Sequence, residues 1–182
     1  RFVLEHDLSY RGDFPCNPHG GQLSFGQTGM AGGMHHVIDA TRQMSPCVIV
    51  DMPHAWTPWV KSCLIAADEI VVVATPDLAS LRNAKNLIDL VRHARPNDSP
   101  PRLLINQAGM PKRPEIPAKD FAETMGVEPA AIIPFDAAVF GQAGNNGQMV
   151  LEIAPKSPLA DSLSKFARQL TGREAPAAAE KS

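Results

Sequence analysis

The sequence has no hydrophobic run long enough to cross a membrane. Its longest apolar run, from Ile70 to Ala74, has the length of a β-strand, whereas a membrane-spanning helix needs about 18–20 apolar residues. The first residues also lack the pattern of a signal peptide. We therefore expect a cytoplasmic protein without a transmembrane segment. Because the chain begins at Arg1 and not at a methionine, we also expect a fragment of a longer protein.

The chain contains few cysteines and carries little net charge. The three cysteines, Cys16, Cys47 and Cys63, show neither CxxC spacing nor a histidine at a zinc-like interval, which predicts reduced thiols. The formal net charge of −2 over 182 residues provides no overall attraction to nucleic acid. These features argue against a disulfide scaffold, a zinc site and a nucleic-acid partner.

Lysine is missing from the part of the chain where a phosphate-binding loop would need it. Such a loop has the pattern GxxxxGK[ST], and its lysine contacts the β- and γ-phosphates. Residues 26–33 are rich in glycine but contain no lysine, and the first lysine of the chain is Lys61. We therefore expect these 182 residues to hydrolyse ATP poorly or not at all.

Short apolar runs alternate with amphipathic helical segments over most of the chain. The runs predict buried strands that end at four positions: Asp51, Thr75, Asn106 and Pro134. A long helix is predicted from Leu78 to about Ala94, with Asp77 as its N-cap. This alternation predicts a parallel α/β sheet, in which ligands bind beyond the carboxyl ends of the strands. Residues 1–33 are predicted to be irregular, with a helix from about Met34.

Three polar residues near these strand ends are candidates for a nucleotide site. Asp51 has the position of a carboxylate that holds Mg²⁺ through water, although a helix cap or an Asp that orders a loop has the same pattern. Asn106 offers an amide that suits a purine edge, or it forms a turn. Asp136 follows the last strand, where it either caps the next helix or borders an adenine.

Residues 45–173 resemble the C-terminal half of the CpaE/TadZ pilus-assembly ATPases of the MinD/ParA group. The resemblance rests on five segments: VIVDMPH at 48–54, DEIVVV and TPDLASLRNAK at 68–85, LINQ at 104–107, PKRPEI at 111–116, and IPFD at 133–136 followed by NNGQ at 145–148. It implies that Asp51 lies beside Mg²⁺ and the γ-phosphate, with Pro53 in the same motif. It also implies that Asn106, Pro134 and Asp136 border the adenine of ATP.

The same resemblance carries expectations about partners and location. Members of this family help to place and assemble the Flp/Tad pilus machinery, often at a cell pole, and act as dimers. It therefore implies pilus-assembly proteins and a second copy of the chain as partners, at the inner face of the membrane or a cell pole. The leading interpretation is a hydrolysis-deficient ATPase fragment that binds nucleotide through the residues above. The alternative is a non-enzymatic interaction module of the pilus machinery.

Residues 1–44 resemble a different family, the C-terminal domain of thiolases. The similar segments are HDLSYRGDFP at 6–15 and NPHGGQLSFG at 17–26. Thiolases carry a catalytic histidine where this chain has Gln27, and the nucleophilic cysteine of their N-terminal domain has no counterpart here. A thiolase-like acyl-CoA protein fragment is therefore a third interpretation, for which we expect no thiolase chemistry.

The expected organisation is a thiolase-like segment at 1–44, a MinD/ParA-like half domain at 45–173 and a disordered tail at 174–182. The expected fold is a partial P-loop NTPase-like α/β fold, with a parallel sheet, flanking helices and the phosphate-loop half missing. In the family that this resembles, the phosphate-loop strand lies inside the sheet, so its loss would leave a gap and weaken the sheet. If residues 1–33 contribute a strand, that gap is the expected place for it.

Overall fold

The computed structural model describes residues 2–7, 27–52 and 57–172. Its strands are β1 (Phe2–Asp7), β2 (Val48–Met52), β3 (Glu69–Ala74), β4 (Arg102–Ala108) and β5 (Pro129–Pro134). Its helices are α1 (Gln27–Met44), α2 (Pro58–Ala66), α3 (Leu78–Ala94), α4 (Ala118–Met125), α5 (Ala137–Asn146), α6 (Val150–Ile153) and α7 (Pro158–Thr171). None of the helices among these residues is long and apolar enough to cross a membrane.

The five strands form one parallel sheet in the order β2-β1-β3-β4-β5. The predicted strands end within two residues of the positions expected from the sequence. Because all strands run in the same direction, their carboxyl ends lie along one side of the sheet, which we call the carboxyl edge. The prediction of an α/β fold with a parallel sheet and flanking helices is confirmed.

The first strand corrects the expectation for residues 1–33. Phe2–Asp7 is not irregular, because it pairs in parallel with β2 on one side and with β3 on the other. It fills the interior position where the resemblance implied a gap, as expected for a strand contributed by this segment. Helix α1 also begins earlier than predicted, at Gln27, although residues 27–33 contain three glycines. Residues 8–26 lie outside the described part of the chain.

Two apolar clusters cover the two faces of the sheet. The larger joins alternate residues of β3 and β4 to helices α1–α4, and its members include Ile38, Val60, Ile70, Val72, Leu87, Ile88 and Phe121. The smaller joins the opposite face of β3, β4 and β5 to helices α5–α7 through Val71, Val73, Leu104, Ile133, Leu159 and Phe166. Burial on both faces explains why β3 is a continuous apolar run with no polar alternation.

Side-chain caps fix where the main helices begin. Asp77 accepts a hydrogen bond from the backbone N–H of Ser80 at 2.9 Å and starts α3. Ser157 does the same for α7 by accepting from Ala160 at 3.1 Å. Helix α4 ends at Gly126, whose left-handed φ of 63° suits a residue without a Cβ. The observed bounds of α3 are those predicted from its N-cap and its apolar stripe.

Candidate functional site

A cavity of about 190 Å³ lies at the carboxyl edge, where β4 and β5 end. It is lined by Asn106, Gln107, Pro134, Phe135, Asp136, Ala137 and Phe140. Three residues that the sequence analysis selected from separate segments, Asn106, Pro134 and Asp136, therefore share one cavity. Their proximity follows from parallel pairing, which places the ends of β4 and β5 side by side.

An irregular end to β4 shapes this cavity. The pairing of β4 with β5 shifts register between Ile105 and Ala108. Gln107 lies within that shift and has a positive φ of 57°, a conformation that few residues other than glycine adopt. Beyond it, the backbone N–H of Phe135 donates to the carbonyl of Ala108 at 2.8 Å. This bond holds the loop after β5 against the end of β4 and so closes one wall of the cavity.

The amide of Asn106 is oriented by its own backbone. Its Oδ1 accepts a hydrogen bond from the N–H of Gln107 at 2.9 Å, so the oxygen end of the amide faces the backbone. Asn106 lies within β4, so this bond is made inside the strand and not in a turn. The Nδ2 group is not used in that bond, so the half-buried side chain retains donors for a ligand. Asn106 can thus make this local bond and still contribute to a binding site.

Asp136 also combines a structural role with a place in the cavity. Its Oδ1 accepts the N–H of Val139 at 2.9 Å and caps helix α5, which confirms the cap alternative. A carboxylate has a second oxygen, which adds hydrogen-bond acceptors to a cavity that otherwise has apolar walls. Phe135 and Phe140, which are 37% and 40% exposed, provide those walls. The sequence analysis missed Phe140, because an aromatic residue in a short helix has no distinctive spacing.

An arginine–glutamate pair organises the loop between β4 and α4. The guanidinium of Arg113 donates to the side-chain oxygen of Gln107 at 3.2 Å, to the Gln107 carbonyl, and to Glu115 at 3.0 Å. The Glu115 carboxylate also accepts the backbone N–H groups of Gly109 at 2.9 Å and Met110 at 3.0 Å. Burial raises the pKa of Glu115, but these hydrogen bonds outweigh it and hold the pKa below its usual value.

This pair corrects one interpretation of the sequence. A basic pair on a proline-rich loop is expected to be solvated, and Lys112 and Arg113 form such a pair in the sequence. Lys112 is exposed, as expected, but the Arg113 side chain is only 21% exposed, and its two terminal nitrogens bond to Gln107 and Glu115. Adjacent charges on a proline-rich segment do not reveal which of them turns inward.

Asp51 lies at the same carboxyl edge but far from the cavity. It is the fourth residue of β2 and is exposed. Since β2 and β4 are three strand intervals apart, the strand ends are separated by about 14 Å. An exposed carboxylate at this place fits one water-mediated ligand of Mg²⁺. Pro53 lies outside the described residues, and among the described residues no cluster of three metal-ligating side chains occurs. The magnesium role of Asp51 stays a prediction.

A second, more polar cleft of about 410 Å³ lies at the opposite edge of the sheet. It is lined by residues at the amino ends of β3 and β4 and by the loop after α3: Asp68, Glu69, Ile70, Arg95, Asn97, Asp98, Ser99, Pro100 and Pro101. Its charged groups are already paired, with Arg95 contacting Asp98 at 2.5 Å and Arg102 contacting Glu69 at 2.9 Å. None of the predicted site residues lines this cleft.

Comparison with known protein families gives one match, at the start of the chain. The thiolase C-terminal domain-like family matches residues 1–49. This match covers the segment for which the sequence analysis noted a thiolase resemblance, and it includes β1, α1 and the first two residues of β2. It spans well under half of the 182 residues.

Most of the chain, including part of the segment matched above, is similar to the MinD/ParA group of ATPases. It is 24% identical over 144 residues to the septum site-determining protein MinD of Bacillus subtilis, a match that covers 78% of this chain and 53% of MinD. The chain thus spans about half the length of that relative. The ParA family ATPase from Chlorobium tepidum superposes with a TM-score of 0.66 at 22% identity, over 91% of this chain and 85% of that one.

A third similar protein was solved with a bound nucleotide. MinD from Pyrococcus horikoshii, in complex with Mg-ADP, superposes with a TM-score of 0.60 at 17% identity, over 93% of this chain and 82% of that one. At identities below 25%, these superpositions show the fold alone. The chain therefore has an α/β fold, with a parallel sheet and flanking helices, that is similar to the fold of the MinD and ParA ATPases.

Proposed function

We propose that this chain binds an adenine nucleotide along the carboxyl edge, with the base in the cavity at the ends of β4 and β5. The observation that carries the proposal is the convergence of Asn106, Pro134 and Asp136 on one cavity. These residues come from two strand ends that are about 28 residues apart in sequence, and both strands end at the carboxyl edge. The Mg-ADP bound to a protein of similar fold is consistent with this ligand class.

The groups in the cavity complement a purine. The Nδ2 group of Asn106 donates to a ring nitrogen, because its Oδ1 is already used by Gln107. The second carboxylate oxygen of Asp136 accepts from an exocyclic amino group, which adenine has. The Phe140 ring supplies an aromatic surface for stacking, an interaction worth about 1–3 kcal/mol per base.

The phosphates would extend along the carboxyl edge toward Asp51, about 14 Å away. There the Asp51 carboxylate would hold Mg²⁺ through water, and the metal would neutralise phosphate charge. The 182 residues contain no GxxxxGK[ST] motif. We therefore propose that this polypeptide binds a nucleotide and hydrolyses it little or not at all.

The biological role that we propose is in assembly of the Flp/Tad pilus, as a CpaE/TadZ-like protein. Support comes from the sequence segments of residues 45–173 that resemble this family, several of which form the site: LINQ ends β4, PKRPEI carries the Arg113–Glu115 pair, and IPFD lines the cavity. The partners would be pilus-assembly proteins and a second copy of the chain. The location would be the cytoplasm, at the inner face of the membrane or a cell pole.

A second function, a non-enzymatic interaction module of the same machinery, is favoured by exposed apolar residues after β5. Met149 and Leu151 are 66% and 44% exposed, on the segment that links α5 to α6 and on α6 itself. Exposed apolar side chains close together in sequence are typical of protein contact surfaces. This function does not require nucleotide, so a binding titration separates the two.

The test is a titration of the full 182-residue polypeptide with a fluorescent ADP analogue in the presence of Mg²⁺. We expect saturable binding that Asn106→Ala weakens by about fivefold or more, the effect of one lost hydrogen bond. The matched control is Asn86→Ala on the exposed surface of α3, which should bind as the unchanged chain does. No saturable binding, or equal effects of the two substitutions, would refute the proposal.

A further inference from the structure

The loop between β4 and α4 is held by a network of hydrogen bonds from the side chains of Arg113 and Glu115. Arg113 and Glu115 together contact the backbone or side chains of Gln107, Gly109 and Met110. A further bond, from the N–H of Ile116 to the carbonyl of Pro76 at 2.9 Å, ties the end of the loop to the segment after β3. Two of these contacts, both from Arg113, fall on Gln107, which is next to Asn106 and lines the cavity.

Two residues with a Cβ have a positive φ here: Lys112, in the loop itself, at 62°, and Gln107, near the end of β4. The Gln107 φ of 57° is unfavourable for a side chain with a Cβ, so the surrounding contacts must stabilise it. Arg113 supplies them by donating to both the side-chain oxygen and the backbone carbonyl of Gln107. In this conformation the N–H of Gln107 points at Oδ1 of Asn106, at 2.9 Å. The orientation of the Asn106 amide therefore depends on the backbone conformation that Arg113 holds.

We propose that Arg113 is a positioning residue for base recognition, which it performs by holding Gln107 so that Asn106 presents only its Nδ2 donors to the cavity. The inference rests on the proposed nucleotide site. Arg113 does not line the cavity, so it acts through Gln107 and Asn106 and not by touching the ligand.

The chemistry of Arg113 makes lysine a poor replacement. One terminal nitrogen, Nη1, reaches the side chain of Gln107, while the other, Nη2, reaches the Gln107 carbonyl and Glu115. The buried Nε has no hydrogen-bond partner among the described residues, so the two terminal nitrogens make all of these contacts. Lysine has a single nitrogen and lacks this forked geometry.

The experiment compares the affinity for ADP with that for CDP, both as fluorescent analogues with Mg²⁺. A general loss of stability would weaken both ligands alike, whereas a misplaced Asn106 amide would reduce the preference for the purine. We expect Arg113→Ala to lower the ADP-to-CDP affinity ratio by about fivefold or more, and Arg113→Lys not to restore it.

Two control variants match the charge and the structural role of Arg113. Lys112→Ala removes a positive charge from the same loop at an exposed position. Arg92→Ala removes an arginine in the last turn of α3, at the opposite edge of the sheet. Like Arg113, Arg92 donates to backbone carbonyls, those of Met125 at 3.0 Å and Gly126 at 2.9 Å. Both variants should keep the ratio of the unchanged chain.

Amide exchange measured by NMR gives a readout that needs no ligand. In Arg113→Ala the N–H of Gln107, which donates to Asn106, should exchange faster than in the unchanged chain and in Lys112→Ala. If the unchanged chain prefers ADP and Arg113→Ala keeps both that preference and the slow exchange, the inference is wrong while the nucleotide site stands. If the unchanged chain shows no preference, the proposed function is wrong. In that case the exchange of the Gln107 N–H is the test of the positioning role, and unchanged exchange in Arg113→Ala would overturn that role.

Discussion

Replacing Asp77 tests how the carboxyl end of β3 is joined to helix α3. The Asp77 carboxylate accepts the N–H of Ser80 at 2.9 Å and the hydroxyl of Thr75 at 2.5 Å. Thr75 and Ser80 are each 4% exposed, and their hydroxyl groups also lie within 2.7 Å of each other. A single carboxylate thus caps the 17-residue helix α3 and satisfies a buried hydroxyl pair.

The expected cost of Asp77→Ala follows from these bonds. Loss of an N-cap costs about 1 kcal/mol, within a range of roughly 0.5–2 kcal/mol. The Thr75 hydroxyl loses one acceptor but keeps Ser80 as a partner, so we add about 1 kcal/mol for it. A decrease of about 2 kcal/mol in the free energy of unfolding corresponds to a Tm lower by about 4–8 °C for a chain of this size.

The charge on Asp77 adds a dependence on pH. Partial burial raises the pKa of Asp77, but hydrogen bonds from Thr75 and Ser80 outweigh it and leave the pKa below its usual value. A carboxyl group with a lowered pKa stabilises the folded state above its unfolded pKa of about 3.9, and this stabilisation is lost as the pH falls through the folded pKa. Asp77→Asn should therefore be less stable than the unchanged chain at pH 7, by an amount that shrinks below about pH 3.9.

The assay is urea unfolding followed by circular dichroism, at pH 7 and at steps down to about pH 3. The control is Asp161→Ala, which removes an exposed carboxylate from the first turn of α7 and should cost less than about 1 kcal/mol. If Asp77→Ala costs no more than this control, or if the deficit of Asp77→Asn grows as the pH falls, the reasoning about the cap is refuted.

Three further outcomes are expected. Phosphate release from Mg-ATP by the 182-residue polypeptide should not exceed that of an Asp51→Ala variant, since no lysine precedes Asp51; clear turnover above that variant would contradict this. Cleavage of acetoacetyl-CoA should be undetectable, because Gln27 stands where thiolases have a histidine, and measurable cleavage would show the assignment to be wrong. Phe121→Ala should lower the free energy of unfolding by about 3–5 kcal/mol, because Phe121 is 0% exposed. Phe140→Ala, at a 40% exposed position, should cost far less. Equal losses of stability for the two variants in urea unfolding would count against the described core.

Hydrophobic pattern predicts most of the sheet, for a physical reason. Strand β3 is buried on both faces, so Ile70 to Ala74 is an uninterrupted apolar run that is recognisable without knowing its neighbours. Helix α3 has both a capping Asp77 and a regular apolar stripe, and its predicted bounds agree with the structure. Local sequence is sufficient to predict an element where its apolar pattern and its capping residue indicate the same helix or strand.

The pattern fails where pairing overrides local preference. Strand β1 contains Glu5, His6 and Asp7, so its sequence does not resemble a buried strand, yet parallel pairing on both sides includes it in the sheet. Glycines at 29, 32 and 33 each disfavour a helix by about 1 kcal/mol, and α1 nevertheless begins before them. The division of the chain at residue 44 and the disordered tail at 174–182 remain predictions, and the tail lies outside the described residues.

The candidate site was predictable in its polar residues but not in its surroundings. Asn106 lies near the carboxyl end of β4 and Asp136 lies two residues after β5, and polar residues in such positions mark the carboxyl edge of a parallel sheet. The positive φ of Gln107 and the inward turn of Arg113 depend on contacts across the loop, which no spacing in the sequence reports.

The most direct test of the nucleotide site is hydrogen exchange of the 182-residue polypeptide, measured by mass spectrometry with and without saturating Mg-ADP. The two clefts at opposite edges of the sheet serve as test and internal control. If the base binds where we propose, exchange should slow in peptides that cover residues 104–110 and 132–141, and stay unchanged in those that cover 95–101. Slower exchange at 95–101 alone, or no change in any peptide at a nucleotide concentration that saturates binding, would contradict the assignment of this cavity.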